Sequence, residues 1–350
     1  MESIVQQFFD YPQIVSLVPF GTGHINDTYR LEIREADQPQ TWLLQRLNHH
    51  VFRQPEAVMQ NIHLVAQHLE KHHYPLRILS PRPTLSGQWL FCDPAGNYWR
   101  VFPFFENTET YEQVETTEQA HAAAKAFGAF ARALNSLDAS QLQATIPGFH
   151  DGEKRLADFL VALDRAIPER LVEARAEVDA ILDNQLIFKQ VAELGLPRRA
   201  IHHDTKINNL LFDSNASLTS PTPVGVIDLD TVMPGIVLSD FGDLVRTSTS
   251  LADEDEADLT KIKFRKPIYD ALLEGFLSEM GELLTPAERH ALPLAGPWLT
   301  LMQAVRFIGD YLVGDTYYKV KYPTHNLVRG RNQLALFAQL KNNGGIGGIG

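Results

Sequence analysis

Two short apolar segments, each with a polar residue at one end, constrain this chain more than any other feature. The first belongs to Ile201-His-His-Asp-Thr-Lys-Ile-Asn-Asn-Leu-Leu-Phe212, the second to Val224-Gly-Val-Ile-Asp-Leu-Asp230. Leu210–Phe212 and Val224–Ile227 read as buried strands, because short apolar runs bounded by polar residues suit a covered sheet. Placed together, they bring Asn209 and Asp228 to one rim, with Asp204 on the loop just before. An acid, an amide oxygen and a second acid in this order suit phosphoryl transfer from Mg·ATP. The first serves the acceptor hydroxyl, the second binds the metal, and the third bridges metal and phosphates. Asp and Asn at strand ends also close turns, which explains any one of these residues but not three in catalytic order. His202 and His203 invite a metal-pair reading. Adjacent residues on extended chain face opposite ways, and no zinc-ligand spacing accompanies them.

The pattern His-x-Asp-x-x-x-x-Asn, met by His202, Asp204 and Asn209 with Asp228 following, resembles the aminoglycoside phosphotransferase and choline kinase group of small-molecule kinases. A narrower set is similar to the N-acetylhexosamine 1-kinases. It comprises Leu44-Gln-Arg-Leu-Asn48, Asn208-Asn-Leu-Leu211, Ile227-Asp-Leu-Asp-Thr-Val-Met-Pro-Gly235, Asp240-Phe-Gly-Asp243 and Lys321-Tyr-Pro-Thr-His-Asn-Leu-Val-Arg329. The resemblance runs from Phe20 to Arg331. It implies an α+β, two-lobe protein-kinase-like fold with a small β-rich N-terminal lobe and a larger helical C-terminal lobe. It implies ATP as co-substrate, Mg2+, Asp204 as the catalytic group and Asn209 and Asp228 as metal ligands. The acceptor it implies is the anomeric hydroxyl of N-acetylglucosamine or N-acetylgalactosamine. Other sugars, choline and aminoglycosides are the rival acceptors. A catalytically silent nucleotide-binding regulator is the rival outside enzymes.

Composition fits that reading. A chain of 350 residues is long enough for two lobes with a core. The single cysteine, Cys92, excludes an internal disulfide. Met1–Phe8 lacks the basic start and apolar run of a signal peptide, and no stretch is long enough to span a bilayer, so a cytoplasmic location is expected. The net charge of −12 argues against nucleic acid or anionic membrane as partner. The expected partner is a small-molecule substrate, and the oligomeric state is left open.

Strand signals dominate the first hundred residues: Ile14–Phe20, Thr28–Ile33, Trp42–Leu47 and Tyr98–Phe105, with a helix over Pro55–Lys71. Helical patterns follow over Thr117–Leu137, Asp151–Ile167, Pro168–Leu194, Leu238–Leu251 and Pro267–Met280. Two more, Thr285–Leu292 and Trp298–Val313, are expected to be parted by Pro293 and Pro297. Thr285-Pro-Ala-Glu288 is a capping box, and Ser239 is a candidate cap for the Asp240 helix. The lobe boundary falls at 105/106. The expected division is a nucleotide-binding lobe over 1–105, a catalytic and substrate lobe over 106–343, and a disordered glycine-rich tail over 344–350.

In the first lobe, Gly21-Thr22-Gly23-His24 lies between two strands, where backbone N–H groups can cover phosphates. Alone, it reads better as an ordinary hairpin; beside Asp204 and Asp228 the phosphate reading wins. The resemblance suggests that His24 faces the sugar or the transferred phosphate. No lysine stands on the third strand. Arg46 is the expected substitute; if the cleft lies on the strand's other face, Gln45 takes the position and the charge is lost. Glu56 and Glu70 are candidate partners on the next helix. Phe104 belongs to the expected adenine hinge, Val101–Phe105.

In the second lobe, Arg246 lies within reach of an acceptor. Arg306 sits in an apolar helix, where an unpaired charge is costly; it is either paired structurally or aimed into the cleft. The resemblance favours the cleft, beside Tyr317. Phe149-His150-Asp151 reads as a cap first and a cleft residue second. Asp253-Glu-Asp-Glu256 reads as a solvated helix edge.

Overall fold

The computed structural model describes residues 1–21, 25–35, 38–217 and 219–343. A short helix α1 (Glu2–Val5) precedes β1 (Gln13–Pro19), β2 (Asp27–Glu35) and β3 (Gln38–Leu47). Then come α2 (Pro55–Lys71), β4 (Phe91–Cys92) and β5 (Tyr98–Pro103). The strands form one antiparallel sheet in the order β1-β2-β3-β5-β4. Because strand side chains alternate, each face has its own cover. Leu44 joins Phe8, Phe9, Leu31, Ile33 and Val101 in a cluster closed by Ile4 and Val5 of α1. Leu47 and Phe102 face the opposite way, against Val58, Ile62 and Val65 of α2. The N-terminal cover is a feature the sequence reading lacked. It decides which face of β3 is the inner one.

The chain then becomes helical. β6 (Thr108–Glu109) is followed by α3 (Thr117–Ala133), where Thr116 and Gln119 form a capping box. Next are α4 (Gly152–Asp164), capped by Asp151, then α5 (Pro168–Glu173), α6 (Arg175–Asn184) and α7 (Leu186–Glu193). β7 (Arg199–Ile201), β8 (Leu210–Asp213), β9 (Pro223–Val226) and β10 (Met233–Gly235) are short. They pair as β6-β8-β9 and β10-β7. α8 (Val237–Ser248), α9 (Lys266–Met280), α10 (Pro286–Leu312) and α11 (His325–Asn343) complete the lobe. No helix among the described residues is long and apolar enough to cross a membrane.

Three local expectations need correction. α10 is continuous through Pro293 and Pro297. An interior proline costs about 3 kcal/mol, but Ala295, Trp298, Leu299 and Met302 are buried, so tertiary burial offsets the break. The expected helix over Pro168–Leu194 is three pieces that bend at Ala174 and Gln185. Ser239 does not cap α8, which starts at Val237; its hydroxyl bonds His150 Nδ1 instead. The expected tail, 344–350, lies outside the described residues.

Candidate active site

β8 and β9 pair with Leu210 opposite Val226. One step beyond, the Ile227 N–H donates to the Asn209 carbonyl at 3.0 Å, which brings Asn209 and Asp228 to the same rim. Asn209 Nδ2 donates to the Asp204 carbonyl and to its Oδ2 at 2.8 and 2.9 Å. With its N–H2 turned inward, the amide oxygen of Asn209 is left without a protein donor among the described residues. Asp228 takes a left-handed backbone, φ 57° and ψ 57°. That conformation is uncommon for a side-chain-bearing residue, though Asp tolerates it better than most.

The loop from His202 to Thr205 is held on all sides. Asp240 Oδ2 and Oδ1 accept the N–H groups of His202 and His203 at 3.0 and 2.7 Å. The Thr205 hydroxyl donates to the Asp240 carbonyl. His202 bonds the Ile227 carbonyl through Nε2 and accepts the Asp204 N–H through Nδ1. Thr231 Oγ1 donates to the His202 carbonyl. Gly235 is required opposite: a Cβ there would stand 2.5 Å from His203 Nε2. Asp204 is thus carried by a rigid loop.

Electrostatics separate the two acids. Burial opposes the ionisation of Asp204, but the Lys206 ammonium, 3.1 Å away, together with His202 and the Asn209 amide holds its carboxyl below the usual range. The Asp204 charge in turn pushes Lys206 upward. Asp228 opens onto the cleft and makes no hydrogen bond or ion pair among the described residues. Its walled position and the nearby charges of Asp230 and Asp204 push it up to about 7. A carboxylate so crowded by negative charge, with no cation bonded to it, suits a metal ion. Among the described residues no group of three or more His, Cys, Asp or Glu holds a metal alone. Magnesium takes one or two protein oxygens and completes its shell with phosphates and water, and the oxygens of Asn209 and Asp228 on one rim, unbonded among the described residues, suit that demand.

On the nucleotide side, Gly21 has φ +80°; Thr22, Gly23 and His24 lie outside the described residues. Arg46 does not face the cleft. It lies on the α1 face of β3, exposed and paired with Asp27. Gln45 occupies the inner face, bonded to Thr28 at 2.9 Å and to Arg100 Nε at 3.1 Å. Arg100 is 2% exposed and grips Asp230. Glu56 and Glu70 are exposed on α2 and provide no partner for it. The Phe104 ring, just past β5, meets Phe20 edge-on at 5.3 Å and lies under Arg30.

On the acceptor side, Arg246 is fully engaged by Asp243 and Glu254, so it is a bracing residue and not a free cation. The Asp253–Glu256 run is not a solvated helix edge. It is a turn whose acids bond Gln113, Arg246, Arg329, Lys321, His325 and Lys261. Arg306 differs: it donates to Gln303 Oε1 at 2.6 Å, and no carboxylate pairs with it among the described residues. Phe149, Tyr318 and Tyr317 surround its guanidinium at 5.2, 5.5 and 5.9 Å. A cavity of about 180 Å³ opens beside it, lined by Arg155, Asp158, Arg306, Asp310, Tyr317 and Tyr318 among others. His150 is stacked on Phe149 and 5.3 Å from His203, linking this cavity to the Asp204 loop.

Sequence reasoning missed Lys206, Arg100, Asp230 and Asp310. Lys206 had a signal, lying between Asp204 and Asn209 on the same loop. Asp310 had none; it accepts the N–H groups of Thr316, Tyr317 and Tyr318 and so shapes the loop that carries Tyr317.

Residues 16–274 match the sequence family described as the phosphotransferase enzyme family. Solved structures share the fold. A microcompartment-associated aminopropanol kinase superimposes with a TM-score of 0.61 at 17% identity, covering 99% of both chains. Spectinomycin phosphotransferase in complex with ADP and spectinomycin gives 0.57 at 12%, covering 95% of this chain and 92% of that one. Choline kinase from Cryptosporidium parvum Iowa II gives 0.56 at 15%, covering 97% and 94%.

Proposed function

The chain belongs to the phosphotransferase enzyme family, and from that premise we propose that it transfers the γ-phosphoryl group of ATP to the anomeric hydroxyl of a free N-acetylhexosamine, giving the sugar 1-phosphate. An ADP-bound neighbour of the same fold supports an adenine nucleotide as co-substrate. In this reading Phe104 lines the adenine hinge, and Gly21 stands on the phosphate side. A magnesium ion held by Asn209 and Asp228 would neutralise and orient the phosphates. Asp204 accepts a hydrogen bond from the attacking hydroxyl and takes its proton as the phosphoryl group arrives. Lys206 keeps Asp204 ionised and adds positive charge where the phosphoryl oxygens pass. The transition state for such transfer is loose, so positioning and charge neutralisation supply most of the acceleration.

The observation that carries the choice of acceptor is the setting of Arg306. Named neighbours act on amines, such as aminopropanol and choline by their descriptions. An ammonium acceptor needs a free acid or open aromatic faces. Here the aromatic faces already surround a guanidinium. The cavity's acids are also committed: Asp310 to three backbone N–H groups and Asn326, Asp158 to Lys154 and Arg155. A neutral acceptor rich in hydroxyl and carbonyl oxygens fits this lining, with Arg306 and Tyr317 holding the ring or its acetamido group.

The test is a coupled ADP-release assay over N-acetylglucosamine, N-acetylgalactosamine, neutral sugars, choline, ethanolamine, 1-amino-2-propanol and aminoglycosides. Turnover is expected with the amino sugars, and none with a 1-O-methyl glycoside. Phosphorus NMR of the product should show coupling to the anomeric proton. Preferred turnover of an amine, or coupling to the protons on the sixth carbon, overturns the reading.

A further inference from the structure

Asp228-Leu-Asp230 places two acids where both could share one metal ion. The structure separates them. The turn Leu229–Thr231 carries Asp228 out to the cleft and Asp230 inward, where it is 2% exposed. Both Asp230 oxygens are used: Arg100 Nη1 donates to Oδ1 at 2.6 Å, and Arg100 Nη2 and Asn26 Nδ2 donate to Oδ2 at 2.9 and 2.8 Å. We infer that Asp230 is a positioning residue that fixes the β-rich lobe in register with the Asp228 turn, and not a second metal ligand. The inference rests on the proposed role of Asp228.

The donors come from across the small lobe. Arg100 lies on β5 and bonds Gln45 of β3, its partner in the ladder, while Gln45 bonds Thr28 of β2. Arg100 Nη1 also meets the Met59 sulfur of α2 at 3.6 Å. Asn26 leads into β2, and its side-chain oxygen accepts the Asn48 N–H that follows β3. Three strands and a helix therefore converge on one carboxylate two residues from Asp228. A second tie runs parallel: Asn61 of α2 donates to the Val232 and Gln143 carbonyls at 2.9 and 2.8 Å.

Stability alone is a poor reason for this arrangement. Desolvation cancels much of what a buried ion pair gains, and apolar replacements often do as well. A bidentate guanidinium–carboxylate pair offers geometry, since its fork admits one alignment. Alignment is what in-line transfer needs, because a shift of about 1 Å can cost roughly 10²-fold in rate. The usual pairing in this fold joins strand to helix within the small lobe. Here the charge on the inner face is Arg100, and its acid comes from the other lobe.

The test compares the parent chain with Asn26→Ala, Asp230→Asn, Asp228→Asn and the neutral pair Arg100→Met/Asp230→Leu. Read together are Mg·ATP affinity by calorimetry, Mn2+ binding by paramagnetic resonance, the urea midpoint, and kcat and KM with N-acetylglucosamine. Asn26→Ala is expected to keep the parent's midpoint and acceptor KM while kcat/KM for Mg·ATP falls about tenfold or more. The neutral pair should regain the parent's midpoint yet stay impaired by a similar or larger factor. Asp230→Asn should bind Mn2+·ATP with the parent's metal stoichiometry. Parental kcat/KM for Mg·ATP in both Asn26→Ala and the neutral pair overturns the inference, as does loss of Mn2+ from Asp230→Asn to the extent seen in Asp228→Asn. A parent that binds no Mg·ATP would instead sink the proposed function, which keeps the two failures distinct.

Discussion

Asp228→Asn is expected to stabilise the fold while disabling the enzyme. The parent carboxyl is raised from the ordinary 3.8 to about 7, by its walled position first and then by the charges of Asp230 and Asp204. Between these values the folded chain binds a proton that the unfolded chain releases, so stability falls as pH rises through that window. Three units correspond to about 4 kcal/mol at ~1.4 kcal/mol per unit. The Asp228 side chain meets solvent in the cleft, so screening reduces the usable figure to roughly 1–2 kcal/mol. Asparagine keeps the shape and tolerates the left-handed backbone, but carries no charge to repel. Urea unfolding without magnesium at pH 4, 6 and 8 should show a variant-minus-parent difference near zero at pH 4, growing to about 1–2 kcal/mol at pH 8. Any backbone benefit of asparagine is the same at every pH, so the growth with pH isolates the charge term. Calorimetry at pH 8 should show Mg·ATP binding weakened by loss of the anionic ligand. A pH-independent difference refutes the electrostatic argument, and undiminished Mg·ATP binding refutes the metal assignment.

Asp204→Asn should lower kcat by about 10²–10⁴-fold, the range of a positioned acid–base group, with Mg·ATP affinity unchanged by calorimetry; normal turnover would remove Asp204 from the chemistry. Lys206→Met removes the cation that depresses Asp204, so the acid limb of the kcat–pH profile should move to higher pH; an unmoved or lowered limb contradicts the pairing. Arg46→Ala should leave the KM for ATP unchanged, because the side chain lies on the α1 face against Asp27; a several-fold rise would return Arg46 to the cleft. Arg306→Ala should cut kcat/KM for the sugar by about 10–100-fold, as expected for losing a hydrogen bond to a charged group, while sparing Mg·ATP binding; equal loss with both substrates argues for a structural role.

What was legible in the sequence was local. Asn209 and Asp228 lie at the ends of two neighbouring strands and Asp204 on the loop just before them, so one short stretch of chain places all three and short-range pattern reveals them. Alternation also sorted β3 correctly into two faces. It did not say which face is inward, because that depends on α1 and α2, elements outside the strand. The same blindness hid the partner of Arg100, which lies 130 residues away in sequence. It also made Asp253–Glu256 look like a solvated edge. Local charge density predicts repulsion, but Arg246, Lys321 and Arg329 arrive from three other segments to neutralise it. The prolines of α10 misled for a related reason: propensity is a local cost, and burial against distant helices outweighs it.

This division between local and distant information bears on acceptor choice. The bonds that fix the Asp204 loop go to Ile227, Thr231 and Asp240. The cavity at Arg306 is built instead by α4, by α10 and by the loop that Asp310 gathers. His150 lies between the two, stacked on the Phe149 ring that meets the Arg306 guanidinium and 5.3 Å from His203 of the loop. Substitutions among the cavity residues can therefore alter the acceptor without loosening the catalytic loop, whereas a change at His150 should disturb both. In the proposed function acceptor choice falls to Arg306, Tyr317 and their neighbours, where local sequence pattern carries the least information.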